Sequence, residues 1–408
     1  MLFSSLRQAL AIFLVAVLVS ACGGNGSSAP PPAGGITVTP GDSTATVSWT
    51  MVPGVKYWLF YAQSSSISTT DWVNVPGSRA ILDVTSPFVL TGLANGLTYS
   101  FAVNGRNGDG PGGPGSPTVS IVPRLAGATW KPGTTLGSNS MRSITYGTGA
   151  DLLGYYFAVG DAGSSYRSTD GLTWTGLPTV AASTMNAALY TLSKFIVVGA
   201  NGSIRYGTDM STWSTATSNT TESLNAIASN GALAVAVGNN GTVRTSADGV
   251  AWSSATVPTS KHLYGITYSG NGIWSAVGAG GTVLTSTDAA NWTLATSGTT
   301  ADLNAVAVQV SSSYVLVAAG NAGTVLTSAD NGVTWTAQTT GSTTNLLAIS
   351  TTASQILVTG AGGTVLTSPT GTTWTTRSTG TIADLYSVIS FFAQYVAVGQ
   401  AGTNINSQ

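Results

Sequence analysis

Six tryptophans, Trp174, Trp213, Trp252, Trp292, Trp335 and Trp374, recur at intervals of 39, 39, 40, 43 and 39 residues. That period constrains the fold more than any other property of the chain. Each tryptophan ends a unit of one grammar. A short apolar strand (LNAIA, LYGIT, LNAVA, LLAIS, LYSVI) is followed by a strand ending in glycine (VAVG, SAVG, LVAAG, ILVTG). Gly-Thr-Val-x-Thr-Ser or a variant comes next, and then the tryptophan. Four short strands in about 40 residues form a sheet that buries its faces only by stacking on copies of itself, which is the blade of a β-propeller. The tryptophans mark six blades. A seventh set of strands occupies 384–408 and stops before its tryptophan, while Ala128-Thr129-Trp130 offers the missing strand at the other end of the repeats. The sequence therefore predicts a seven-bladed propeller over 126–408, closed by strands from both of its ends, which removes exposed sheet edges.

Upstream, residues 36–124 carry the runs ITVTP, TATVSWT, YWLFYAQ, PFVLTGL, TYSFAVNG and SPTVSIVP between turn residues. Alternation at this spacing predicts a β-sandwich, so the whole chain reads as all-β. Trp49 is placed to fill the sandwich core. Tyr99 stands where a sandwich carries a corner tyrosine whose hydroxyl bonds to backbone. On these residues the segment resembles a fibronectin type III domain over nearly its whole length. The resemblance implies fold only, because the integrin-binding Arg-Gly-Asp tripeptide is missing from the segment.

The N-terminus sets the expected address. Arg7 precedes the apolar run Ala9–Val19, which is far shorter than the roughly 20 residues of a membrane span and suits a signal peptide. It ends in Val19-Ser20-Ala21-Cys22, which resembles the bacterial lipobox. That resemblance implies removal of residues 1–21 and lipidation of Cys22, the single cysteine of the chain. Gly23 after the cysteine resembles the outer-membrane sorting pattern. Residues 22–35, Gly/Ser/Pro-rich, read as a flexible tether. The expected partner is thus a membrane through Cys22, in the bacterial cell envelope and at the outer membrane. A net charge of −1 with no basic run excludes nucleic acid as a partner. The sequence predicts no metal site and no cofactor, and assigns no oligomeric state.

Within the repeat, Ser328-Ala329-Asp330-Asn331-Gly332-Val333-Thr334-Trp335 matches the Asp-box, Ser-x-Asp-x-Gly-x-Thr-Trp, at every defined position. Asp170/Trp174, Asp248/Trp252 and Asp288/Trp292 follow it with one residue fewer. Asp209/Trp213 has Gly207 in place of the serine, and Trp374 follows Thr370 in place of the aspartate. Short polar side chains can hold turn backbone while the tryptophan packs on the blade, so these residues read as fold staples. The pattern GxxGTVxTSxDGxxW also resembles the propeller of photosystem II stability and assembly factors over about 280 residues. What it implies is a protein-binding or surface scaffold on a sialidase-like fold, not photosynthesis.

Aligned repeats also place candidate site residues. The second residue of each inner strand, at the mouth of the ring, is Arg142, Asn186, Asn225, Tyr264, Asn304, Leu347 or Tyr386. Amides, an arginine and tyrosines there can hold a peptide or a sugar. The loops on the same face carry Glu222, Lys261, His262, Asp302 and Asp384. Arg167, Arg205 and Arg244 share one register of the third strand, where they could bind an acidic partner, pair with Asp170, Asp209 or Asp248, or stack on tryptophan. The function expected is a membrane-anchored, non-catalytic binding, adhesion or assembly module for a protein or glycan. The alternative is a glycoside hydrolase, which needs two carboxylates about 5–10 Å apart across the bond. Glu222, Asp302 and Asp384 are its candidates. A sialidase would add an arginine triad and a Tyr/Glu pair, for which only Arg142, Tyr264 and Glu222 are placed.

Overall fold

A computed structural model describes residues 27–41, 43–124, 127–311, 313–391 and 394–407. The signal peptide and Cys22 lie outside the described residues. The chain divides between Leu125 and Ala126 into two compact units.

The first unit is a sandwich. Thr37–Gly41, Thr44–Ser48 and Phe88–Thr91 form one sheet, and Arg79–Val84, Val55–Ala62, Tyr99–Asn107 and Val119–Ile121 form the other. Alternation sends Ala45, Val47, Leu59, Phe101 and Val103 inward, where they meet Trp49 and Tyr57. The Tyr99 hydroxyl accepts a hydrogen bond from the Ala94 amide at 3.1 Å, the predicted corner. Tyr57 repeats the device on the Val52 amide at 3.0 Å. The sandwich begins earlier than the sequence suggests. Ser27–Ser28, inside the expected tether, pair with Asn107 and Arg106, and Ala29 is fully buried. A composition poor in apolar residues hid one small side chain that plugs the sheet edge.

The second unit contains seven four-stranded antiparallel sheets. Blade 1 comprises Met141–Thr148, Gly154–Gly160, Ser165–Ser168 and Thr175–Leu177. The inner strands of blades 2 to 7 are Met185–Thr191, Leu224–Ser229, Leu263–Tyr268, Leu303–Val310, Leu346–Thr351 and Leu385–Phe391. Blade 7 is completed by Gln394–Gly399, Asn404–Ser407 and, as its outer strand, Trp130–Pro132, with Ser407 opposite Trp130 and Ile405 opposite Pro132. The Gly127 amide donates to the Ser407 hydroxyl at 2.6 Å across the same junction. The predicted closure by both ends of the repeat region is therefore the one observed.

Each tryptophan packs between its own blade and the one before. Trp252 joins Ile196 and Val198 of blade 2 to Leu224 and Ala234 of blade 3. Trp292 does the same with Val235 and Val237, and Trp130 with Leu357 and Leu385. The second and third strands are joined by one tight turn per blade. In Asn239–Gly241, Asn240 and Gly241 both take positive φ, 52° and 68°. A β-carbon on Gly241 would lie 2.1 Å from the Thr259 carbonyl oxygen, so glycine is required there.

Candidate functional site

The two faces of the ring use polar side chains differently. On one face, called the turn face for the Ser-Asp turn that joins the third and fourth strands, the motif closes on itself. The Ser168 hydroxyl donates to Asp170 at 2.8 Å and accepts from the Gly171 amide at 2.8 Å. Asp170 in turn accepts the amides of Leu172 and Thr173 at 2.8 and 2.7 Å, and the Trp174 indole donates to the Gly171 carbonyl at 3.2 Å. Blades 3, 4 and 5 repeat this with Asp248/Trp252, Asp288/Trp292 and Asp330/Trp335. Amides aimed at a carboxylate favour its charged form. The Thr212 amide leads in lowering the Asp209 pKa, the Val250 amide leads for Asp248, and the Asn291 amide leads for Asp288. Burial opposes the same effect at Asp170, where the Thr173 and Leu172 amides prevail, and the Thr334 hydroxyl leads in bringing Asp330 down to about 2. In blade 6 the Ser368 hydroxyl still holds Gly371, and the Trp374 indole donates to Gly371, without the carboxylate. In blade 2, where Gly207 replaces the serine, Asp209 still accepts Ser211 and Thr212, but the Trp213 indole N–H is buried without a partner among the described residues. It stacks instead on Phe157, ring centroids 5.6 Å apart.

The mouth face is built from the starts of the inner strands. In all seven blades the register slips between the first and third residues of that strand, which puts the second residue on a β-bulge. A bulge re-aims a side chain. The seven predicted mouth residues, Arg142, Asn186, Asn225, Tyr264, Asn304, Leu347 and Tyr386, are therefore equivalent, and all are half-buried. Three of them stitch blades together. The amides of Asn186, Asn225 and Asn304 donate to the carbonyls of Leu224, Leu263 and Leu346, each in the following blade, at 2.9, 2.9 and 2.8 Å. The seam from blade 1 to 2 uses the Ser143 hydroxyl on Ala188, and that from 7 to 1 uses Ser387 on Ile144. Between blades 6 and 7, Thr359 donates to the Leu385 carbonyl.

Arg142 makes a two-pronged ion pair with Asp161, 2.9 and 3.3 Å, and its guanidinium carbon lies 4.9 Å from the Tyr386 ring centroid. His262 lies beside Tyr264, centroids 6.3 Å apart. Burial, then the charge of Asp302, raises the Tyr264 phenol; burial, then Asp384, raises that of Tyr386. Both shifts favour the neutral phenol.

A feature that sequence reasoning missed is the column just before the inner strand. Asp302 accepts the Gly280 amide of the preceding blade at 2.7 Å, and Asp384 accepts that of Gly362 at 2.9 Å. The His262 Nδ1 accepts the Asn240 amide at 3.0 Å, Asn345 accepts Ala322 at 3.1 Å, and the Ser140 hydroxyl accepts Ala401 at 3.3 Å. The carbonyls of His262, Asp302, Asn345 and Asp384 meanwhile accept the first amide of their own blade's turn. The column tacks adjacent turns together. The aligned sequence held the signal: Ser140, Thr184, Ser223, His262, Asp302, Asn345 and Asp384 all carry an acceptor. Glu222 lies one residue outside this column. Asp302 and Asp384 sit two blades apart. Among the described residues no group of three His, Cys, Asp or Glu could hold a metal.

The three aligned arginines take partners other than those expected. Arg244 donates to the Ser218 and Asn219 carbonyls, both at 3.0 Å, rather than to Asp248. Arg167 lies over Tyr155 at 4.8 Å rather than over a tryptophan, and Arg205 donates to the adjacent Ile204 carbonyl at 3.3 Å.

No curated protein matches the sequence. Among solved structures, the chain is similar to YCF48 bound to D1 peptide, with 19% identity and a TM-score of 0.57 over 70% of this chain and 98% of that one. YCF48 from Cyanidioschyzon merolae gives 15% and 0.57 over 69% and 99%. The WD40 β-propeller domain of Doa1 gives 12% and 0.55 over 68% and 97%. At these identities the likeness is one of fold. Residues 29–121 match the family described as Fibronectin type III domain. The chain joins a fibronectin type III domain to a β-propeller.

Proposed function

We propose that this chain is a lipid-anchored, non-catalytic module of the bacterial envelope whose propeller mouth captures a protein segment. The observation that carries the reading is the fate of two of the three mouth carboxylates. Asp302 and Asp384 each accept a backbone amide of the neighbouring blade and hold the ring together. A general acid or nucleophile must be free to meet substrate. Arg142, Tyr264 and Tyr386 remain half-exposed on bulges around the mouth, a set suited to peptide carbonyls and carboxylates. The YCF48 propeller is described with a bound peptide, which supports the same use of the fold. The aligned tyrosines favour a glycan as the second reading, because tyrosine faces stack on sugar rings. The Ser-Asp motifs act as Asp-box staples, and the lipobox-like Val19-Ser20-Ala21-Cys22 supplies the anchor.

The test is photocrosslinking in intact cells from probes placed at Tyr264 and Tyr386. A discrete protein adduct, weakened by Arg142→Ala, supports capture of a protein. An adduct-free result together with saturable glycan-array binding favours the sugar. Release of sugar products that stops on Glu222→Gln overturns the non-catalytic reading. Cys22→Ser should release the protein from membranes; retention there would remove the lipid anchor from the proposal.

A further inference from the structure

The junction that closes the ring holds a cavity of 440 Å³, within the range of about 300–1,000 Å³ typical of small-molecule sites. Trp130, Pro132 and Thr135 line it from the N-terminal side of the junction, Asn404 from the strand Asn404–Ser407 with Thr403 just before it, and Thr381 from the loop leaving blade 6. Among the described residues no charged side chain lines it. We propose that this cavity binds a neutral saccharide.

The chemistry of the walls selects the ligand. The Trp130 indole N–H donates to the Gly127 carbonyl at 3.0 Å, which fixes the ring edge; the half-buried ring packs on Leu357 and Leu385 with one part and lines the cavity with the rest. A flat aromatic surface edged by hydroxyls matches a pyranose, which offers C–H groups on its faces and hydroxyls at its rim. Asn404 adds a directional group where most blades bury an aliphatic residue, Ile204, Val243, Val283, Val325 or Val365. Its amide N–H donates to the Thr134 carbonyl, while its Oδ1 is buried without a partner among the described residues. A buried acceptor left unpaired is costly, which sets this blade apart from those with an aliphatic residue there. A peptide strand suits the place less well. The outer strand here ends in Pro132, which has no N–H to offer an added strand.

The test is calorimetry of the full chain in detergent against glucose, galactose, mannose and N-acetylglucosamine and their common disaccharides. At least one should give a saturable isotherm. Thr135→Phe fills the cavity from an exposed position and should weaken that binding by roughly tenfold or more. Asn404→Val, which restores the residue of blades 3 to 6, should weaken it without loss of thermal stability. Absence of binding across the panel overturns the proposal, as does undiminished binding by Thr135→Phe. Binding that survives Thr135→Phe but is lost with Tyr264→Ala and Tyr386→Ala also overturns it, and assigns the sugar to the mouth instead. Failure of this site leaves the crosslinking reading of the mouth untouched.

Discussion

On the turn face of the ring, the Ser-Asp motif closes within a few residues of chain: Thr334 reaches Asp330 four positions away. On the mouth face the bonds cross seams, with Asp302 reaching Gly280 from 22 residues away and Asn304 reaching Leu346 from 42. A local motif has to be remade in each blade, so it recurs as a recognisable string. A seam asks only that some acceptor or donor stand at a given height, so its residue types drift. The turn face is thus repetitive and the mouth face individual. Variation at the mouth costs little as long as one polar group per seam survives, and that freedom is where binding specificity can be written.

The contrast can be broken experimentally, most forcefully at the wedges that serve both faces. Trp252 is 2% exposed between blades 2 and 3. Trp252→Ala should cost about 3–5 kcal/mol in equilibrium denaturation. A cost under about 1 kcal/mol would mean the tryptophans are not what couples adjacent blades.

Next in size is a mouth stitch. Asn225→Ala removes bonds to the Leu263 carbonyl and to Asn239 and should cost roughly 1–3 kcal/mol. Leu347→Ala, at the equivalent bulge, removes no seam bond and should cost less. Equal costs would show that the stitches are incidental to the bulge.

The turn face should be the acid-sensitive one. Its five aspartates have folded pKa values held below the ordinary carboxylate value of about 4. The stability they contribute is complete above that value and declines as the pH falls through the lower folded values. Blade 6 is the internal control, since Thr370 replaces the aspartate there. Thr370→Asp should raise stability at neutral pH by about 1 kcal/mol, and the gain should vanish on acidification toward pH 2. A gain independent of pH would assign it to packing rather than to the carboxylate.

Smallest of all, Arg205→Leu should change stability by less than about 0.5 kcal/mol. Its one described bond goes to the neighbouring Ile204 carbonyl, and later blades carry Leu284, Leu326 and Leu366 there. Arg244→Leu should cost more, because Arg244 ties the Ser218–Asn219 backbone to the third strand.

What was legible in the sequence follows the same division. Blade number, the closing role of Trp130 and the corner at Tyr99 could be read because each rests on a fixed residue at a fixed interval. The interior of the mouth could be placed but not interpreted. Asp302 and Asp384 stood as carboxylates of the alternative reading only, and an isolated carboxylate in a loop carries no mark of the backbone amide it serves in another blade. For Arg244 an acidic partner, Asp248 and a tryptophan all stood open, whereas the side chain bonds main-chain carbonyls about 25 residues earlier. The start of the sandwich was set too late because pairing of Ser27–Ser28 with Asn107 and Arg106 leaves almost no hydrophobic signature.

The closure of blade 7 also sets a clock. The Gly127 amide and the Ser407 hydroxyl that meet there are 280 residues apart. At the roughly 10 residues per second of synthesis, the strand bearing Trp130 waits about half a minute for its partner. Through that interval six blades can stack while the ring gapes at one point, with an unpaired strand on each lip. Until then that single gap stays open, and pairing of Asn404–Ser407 with Trp130–Pro132 decides whether it shuts.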